Sequence, residues 1–203
     1  MRVCVFVDGF NLYHALLALG DKSLKWVDLR ALISCYLDGG DILEQVYYFS
    51  ALLESNVEKK AKHLEYIHAL ETKGVTAILG KFKKKSLKCK ACNALYTAYE
   101  EKQSDVNIAI QMLEDAFLDR CDKMILVSAD TDFVSTVKKI RRLFPEKKMI
   151  LLAPPKRLNR CYELRAAVHA SLEIKKAHIK KSLFNPIYVL LVQSTETQIF
   201  KNA

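Results

Sequence analysis

Two uninterrupted apolar runs constrain the fold of this chain most strongly. They extend from Val3 to Val7 and from Met124 to Val127. Runs of this length and composition are typical of parallel strands that are buried on both faces of a sheet. Each run is followed by an aspartate, Asp8 or Asp130, and then by a helical pattern. Because ligands bind at the carboxyl ends of the strands in open α/β sheets, these acids are predicted at a binding edge.

Strand patterns and helix patterns alternate along most of the chain. Further strands are predicted at Leu43–Ala51, Val75–Leu79 and Met149–Ala153, with a short one at Leu172–Ile174. Amphipathic helices are predicted at Leu12–Leu19, Asp28–Leu37, Asn56–Lys73, Phe133–Leu143 and Cys161–Val168, and after Ser104, a candidate N-cap. This order predicts an α/β fold, a three-layer αβα sandwich with a mainly parallel sheet of about five strands.

The 203 residues suffice for one domain with a sizeable core and a small appendage. We predict a domain over residues 1–175, interrupted by an insertion or β-ribbon at about 80–99. Residues 176–203 are predicted to form a C-terminal helix and a tail, whose apolar run from Ile187 to Val192 would pair at a sheet edge. No signal peptide and no membrane-spanning run is visible, so we expect a cytoplasmic protein without a membrane partner.

Basic residues exceed acidic ones by 32 to 23, which gives a net charge of +9. This excess favours a polyanionic partner such as nucleic acid, although a merely basic surface has the same composition. Lysines are concentrated in and beside the insertion, where Phe82, Tyr96 and Tyr99 are interleaved. The candidate nucleic-acid contacts are Lys81, Lys83, Lys84, Lys85, Lys88 and Lys102. The alternative is a solvated charged ribbon.

The insertion also contains Cys89 and Cys92, whose spacing is that of half a zinc site. The alternative is a reduced thiol pair, since no second Cys pair or CxxH follows nearby. The other four cysteines are scattered, so a disulfide framework is not expected.

Four acids are predicted to converge at the binding edge: Asp8, Asp105, Asp130 and Asp132. Neighbouring carboxylates repel one another and are costly without a cation between them. Oxygen ligands without histidine suit Mg²⁺ or Mn²⁺. Asn11 and Ser128 are candidate polar partners that hold a water or a phosphate oxygen. The alternative for Asp105 and Asp132 is a role limited to capping a helix.

Three ordered blocks, residues 5–11, 100–106 and 127–133, resemble the signature blocks of the NYN domain family. They read Val-Phe-Val-Asp-Gly-Phe-Asn, Glu-Glu-Lys-Gln-Ser-Asp-Val and Val-Ser-Ala-Asp-Thr-Asp-Phe. The resemblance is to PIN-like nucleases, with the LabA-like branch as the most similar one, and it covers residues 1–175. It implies a parallel sheet between helices and a metal-dependent ribonuclease site.

The resemblance also implies roles for individual residues. The acidic set of the family falls on Asp8, Asp105, Asp130 and Asp132, and its polar partner falls on Asn11. A metal ion held by these acids would bind the scissile phosphate of RNA, Asp105 would position the attacking hydroxide, and the product would carry a 5′-phosphate. One or two ions are equally compatible with the sequence, and a homodimer stays open.

Two other functions compete with an endoribonuclease. One is a regulatory RNA-binding or protein-interaction module with weak or no nuclease activity, although the complete acid set argues against it. The other is a phosphatase of the haloacid-dehalogenase type, which also has an aspartate after its first strand. That chemistry requires a second acid two residues later, where this chain has Phe10.

Overall fold

The computed structural model describes residues 1–185 and contains a seven-stranded sheet. The strands are β1 (Arg2–Asp8), β2 (Ile42–Leu52), β3 (Val75–Lys88), β4 (Leu95–Lys102), β5 (Lys123–Val127), β6 (Lys148–Ala153) and β7 (Ala170–Glu173). Their order across the sheet is β4-β3-β2-β1-β5-β6-β7. All neighbouring pairs are parallel except β3 and β4.

The central strand β1 marks the point where the chain changes direction across the sheet. From β1 the chain adds β2 and β3 on one side, and it later adds β5, β6 and β7 on the other. The carboxyl ends of β1 and β5 are therefore adjacent, with Val7 paired to Val127. Such a topological switch point is where open α/β sheets form a ligand crevice.

Helices cover both faces of the sheet. They are α1 (Gly9–Leu17), α2 (Leu29–Ser34), α3 (Val57–Glu71), α4 (Ser104–Phe117), α5 (Val134–Leu143), α6 (Tyr162–Ala167) and α7 (Lys176–Lys181). Alternate residues of β1 enter two separate cores: Val5 packs with α1, α2, α3 and α7, whereas Phe6 packs with α4, α5 and α6. A strand buried on both faces has no polar face, which explains its continuous apolar sequence.

The predicted fold class is confirmed, but the sheet has seven strands instead of about five. The strand predicted at Val75–Leu79 continues to Lys88 and forms an antiparallel hairpin with β4. Both faces of this extension are largely exposed. Its lysine-rich sequence therefore lacks the alternation of apolar and polar residues that would identify a strand. The short pattern at Leu172–Ile174 corresponds to β7.

The hairpin of β3 and β4 projects past the end of β2. The last residue of β3 that pairs with β2 is Lys81, and beyond it β3 pairs with β4 alone. Gly80 permits the return of β4 to the sheet, because a Cβ at this position would lie 2.5 Å from the carbonyl oxygen of Lys102. The base of the hairpin, where β4 returns to the sheet, therefore lies at the edge where the acids were predicted.

The start of α4 differs from the prediction that Ser104 is its N-cap. Ser104 is instead the first helical residue, and its hydroxyl donates a hydrogen bond to Glu101. The preceding residue, Gln103, has a left-handed backbone with φ of 81° and makes no capping hydrogen bond through its side chain. This turn joins β4 to α4 with no intervening loop.

The C-terminal segment begins with α7, whose Ile179 is buried against the core that contains α2. Leu183 then forms an isolated antiparallel bridge with Val27. The predicted pairing of Ile187–Val192 at a sheet edge lies outside the described residues. No helix within residues 1–185 combines the length and the apolar composition needed to cross a bilayer.

Replacing Gly9 is expected to destabilise the junction between β1 and α1. A Cβ at Gly9 would lie 2.6 Å from both the carbonyl oxygen of Phe49 and the ring of Tyr48. Because backbone cannot move away cheaply, Gly9→Ala should lower the free energy of unfolding by about 1–3 kcal/mol. Urea denaturation followed by circular dichroism measures this change.

The matched control is Gly39→Ala, where an added Cβ meets nothing within 4 Å. It should leave the midpoint of unfolding nearly unchanged. Equal midpoints for both variants would show that Gly9 is not required by close packing.

Candidate metal centre and active site

Three carboxylates meet at the carboxyl edge of the sheet. Asp105, Asp130 and Asp132 each offer one oxygen, and these oxygens lie within 4.8 Å of one another. Asp105 is in the first turn of α4, whereas Asp130 and Asp132 follow β5. The backbone N–H of Asp132 donates to the Asp130 carboxylate at 3.0 Å, and buried Phe133 anchors the turn. The local turn and the helix start thus bring together acids that are 25 residues apart.

Asp8 lies beside these three acids and is fixed by two donors. The backbone N–H of Asn11 donates to one carboxylate oxygen at 2.9 Å, so Asp8 also caps α1. The Ser128 hydroxyl donates to the other oxygen at 2.8 Å. The same hydroxyl accepts the backbone N–H of Asp130 at 3.1 Å. Ser128 therefore links the acid after β1 to the acid after β5.

The electrostatics of the site favour a cation. Burial raises the pKa of Asp8 from 3.8 to about 6, an effect that the charges of Asp105 and Asp130 increase and the two hydrogen bonds partly offset. Partial burial and the charges of Asp130 and Asp132 also raise the pKa of Asp105. Carboxylates that resist ionisation for these reasons regain their charge when a positive ion is placed among them.

A fifth acid, Glu101, lies close enough for the charges of Asp8 and Asp105 to act on it, and it was missed in the sequence. It lies at the end of β4, is half-buried and accepts a hydrogen bond from Ser104. Burial, with the charges of Asp8 and Asp105, raises its pKa to about 7. Its place in the block at 100–106 was visible, but only the pairing of β4 with β3 shows that this glutamate, and not Glu100, faces the cluster.

The donor set fits a hard divalent cation such as Mg²⁺ or Mn²⁺. The three clustered ligands are all carboxylates, and no histidine or cysteine joins them within residues 1–185. The side-chain oxygen of Asn11 is buried and has no hydrogen-bond partner among the same residues. Buried polar oxygens normally accept a hydrogen bond, so this one is an exception beside Asp8.

Comparison with known proteins identifies the family of this chain. Residues 2–173 match the NYN domain family. The chain is a member of that family. The predicted family is therefore confirmed, whereas its LabA-like branch stays a prediction. NYN domains are PIN-like domains of the nuclease type, so membership indicates a nuclease-like hydrolase.

One curated relative and one solved structure are similar to this chain. The relative is 6-hydroxy-3-succinoylpyridine 3-monooxygenase HspA of Pseudomonas putida (strain DSM 28022 / S16), 26% identical over 176 residues. The match covers 70% of this chain and spans only 56% of the relative's length. The structure is of VPA0982, a protein of unknown function from Vibrio parahaemolyticus RIMD 2210633. Its TM-score is 0.59 and its sequence identity is 19%, and the match covers 86% of this chain and 93% of VPA0982. At this identity the similarity supports the fold alone.

The lysines predicted to contact nucleic acid lie in the exposed hairpin, on both of its faces. Lys81, Lys83, Lys85 and Lys102 alternate onto one face, whereas Lys84 and Lys88 lie on the other. Lys102 and Lys85 form ion pairs with Glu100, with N–O distances of 2.7 and 3.5 Å. Nucleic-acid contact by these lysines stays a prediction.

The predicted zinc site at Cys89 and Cys92 is wrong. The two cysteines lie at the tip of the hairpin, where the N–H of Asn93 donates to the carbonyl of Cys89 in a tight turn. A structural zinc ion requires four ligands. Within residues 1–185, no His, Cys, Asp or Glu side chain is placed to complete the pair, and the acid cluster is the one group suited to a metal.

Neutralising Asp8 is expected to stabilise the metal-free protein at neutral pH. The pKa of Asp8 in the folded protein, about 6, lies above its ordinary value of 3.8. The contribution of Asp8 to the free energy of unfolding is therefore fully present below pH 3.8 and is lost as the pH rises through 6. At about 1.4 kcal/mol per pKa unit, Asp8→Asn should raise the free energy of unfolding by about 1–3 kcal/mol at pH 8. The gain should be smaller at pH 5.

Urea titrations in EDTA at the two pH values measure the difference. Asp28→Asn is the matched control, because Asp28 caps α2 in the same way but lies outside the cluster. A gain that is equal at pH 5 and pH 8, or one shared by Asp28→Asn, would contradict the burial of a charge at Asp8.

Proposed function

We propose that this NYN domain is a metal-dependent endoribonuclease that hydrolyses RNA phosphodiester bonds at the acid cluster. The supporting observation is the convergence of Asp105, Asp130 and Asp132 within 4.8 Å, beside the buried carboxylate of Asp8. This cluster lies at the carboxyl edge of a parallel sheet, in a family of nuclease-type domains. RNA as the partner and a cytoplasmic location are parts of the proposal.

Asp105, Asp130 and Asp132 would hold Mg²⁺ or Mn²⁺. When bound, such an ion supplies positive charge that stabilises a phosphate in its transition state and lowers the pKa of water. Ser128 and the Asn11 N–H keep Asp8 in one orientation next to the three acids. Asp105 is exposed at the rim of the cluster, where it is accessible to the attacking water.

The rest of the surface would bring the polyanion to this acidic centre. The net charge of +9 attracts RNA at long range. The hairpin that carries the exposed lysines leads into α4, the helix of Asp105, within two residues, and its lysines would contact the strand on either side of the acids. Lysines that flank an acidic centre bind phosphates on either side of the cleaved bond, whose own charge the cation neutralises.

The alternative is an RNA-binding or protein-interaction module without turnover. It would retain the basic hairpin but would not require the acids to be held in place. The hydrogen bonds from Asn11 and Ser128 hold Asp8 in place although burial of its carboxylate is unfavourable. Because buried carboxylates with shifted pKa values are concentrated at catalytic sites, this arrangement favours catalysis over simple binding. The oxygenation of a hydroxypyridine in the name of the Pseudomonas putida relative is not carried over, since 26% identity across 56% of that protein does not support it.

Removing one metal ligand should abolish cleavage. Asp130→Asn is expected to reduce the rate of Mn²⁺-dependent cleavage of a fluorescent single-stranded RNA by about 10²-fold or more. Glu146→Gln is the control, since Glu146 is an exposed acid on the loop before β6, at the opposite edge of the sheet. Cleavage that survives in Asp130→Asn would refute the nuclease assignment, and retention of the RNA by both proteins without cleavage would support the binding module.

Glu101 should contribute to the same reaction through the position of α4. Glu101→Gln weakens its bond with the Ser104 hydroxyl next to Asp105, and we expect about a tenfold loss of activity, typical of groups that orient metal ligands. The affinity for Mn²⁺, measured by calorimetry, should fall with it. Glu100→Gln is the neighbouring control, because Glu100 pairs with Lys102 on the other face of the hairpin. Equal losses in both variants would assign the effect to the hairpin charge.

A further inference from the structure

A cavity of about 740 Å³ opens between α1, α3 and the end of β2, next to the acid cluster. Its volume is in the range of pockets that hold a small organic ligand or a nucleotide. Aromatic side chains dominate its walls, including the one tryptophan of the chain. These side chains are Phe10, Tyr13, Trp26, Tyr48, Tyr66 and Phe82.

The cavity shares a wall with the candidate active site. Gly9 and Phe10, which line it, directly follow Asp8. Phe82 packs against Phe10 with ring centroids 5.5 Å apart. In the hairpin, Phe82 is paired directly with Glu101, the fifth acid of the cluster. The backbone that directly follows Asp8 therefore forms part of the cavity wall.

Five charged side chains line the cavity, and all of them are lysines except Glu65. Lys22, Lys25, Lys59 and Lys62 are among its lining residues. Lys62 is paired with Glu58, whereas Lys22 and Lys59 form no ion pair within residues 1–185. Among the lining residues, the Tyr48 hydroxyl and His63 Nε2 are hydrogen-bonded to each other at 3.3 Å.

We propose that this cavity holds one unstacked base of the RNA strand, with Lys22 and Lys59 on the phosphate attached to it. Aromatic walls stack with every base, and lysines bind the backbone without regard to sequence. The assignment to an RNA strand rests on the proposed function, whereas binding of a base with its phosphate is independent of cleavage.

Trp26 makes the cavity observable, because it is the single tryptophan in 203 residues. Adenosine 5′-monophosphate, titrated in EDTA, should quench its fluorescence with saturation. Ribose 5-phosphate lacks the base and should not quench. Nicotinate, a small heteroaromatic acid without ribose phosphate, should bind more weakly than the nucleotide. A nicotinate affinity above that of the nucleotide would overturn the assignment to RNA.

Two variants test the walls and the rim separately. Tyr13→Ala changes a side chain that is 42% exposed, and Lys22→Ala with Lys59→Ala removes two exposed charges, so neither should disturb folding. Each is expected to raise the dissociation constant of adenosine 5′-monophosphate at least tenfold. The controls are Phe117→Ala, at the end of α4, and Lys148→Ala, at the start of β6, both at the opposite edge of the sheet. They should leave the constant unchanged.

The outcomes separate this proposal from the nuclease assignment. Quenching should persist in Asp130→Asn, because the base does not contact that acid, and the cavity assignment then stands even if no RNA is cleaved. Cleavage by the wild-type protein without saturable quenching would overturn the cavity assignment and leave the nuclease intact. Quenching that Tyr13→Ala and the double lysine variant do not weaken would also overturn it.

Discussion

The burial of a carboxylate among other carboxylates is the constraint on which the site depends. Asp8 is 6% exposed and faces the charges of Asp105 and Asp130, so the fold must hold it against both desolvation and repulsion. The Ser128 hydroxyl does this by joining Asp8 to the backbone of Asp130. That contact is available only because β1 and β5 are adjacent and in register at their carboxyl ends. The strand order therefore determines which polar side chains can meet at the site.

The parts that sequence predicts well are those whose signal is local. The apolar runs of β1 and β5 identify buried strands because both of their faces lie in a core. The three ordered blocks then identify the family, and the acids that follow the strands predict where the site lies. Asp105 could be placed because it lies in the first turn of an amphipathic helix.

The parts that were missed depend on contacts between distant segments. β4 carries polar side chains on both faces, so only its pairing with β3 makes it a strand. Glu101 and Glu100 are indistinguishable in sequence, and the pleat of that strand decides which one joins the cluster. The cysteine spacing suggested zinc, but the spacing of two residues cannot show whether further ligands reach the hairpin tip.

The junction between the hairpin and α4 has a mechanical consequence. β4 ends at Lys102, Gln103 adopts a left-handed backbone, and α4 begins at Ser104 with Asp105 in its first turn. No loop separates the two elements, so the hairpin can move relative to Asp105 only if this turn or the start of α4 changes conformation. The exposed hairpin is thus continuous with the helix that carries one of the three clustered acids.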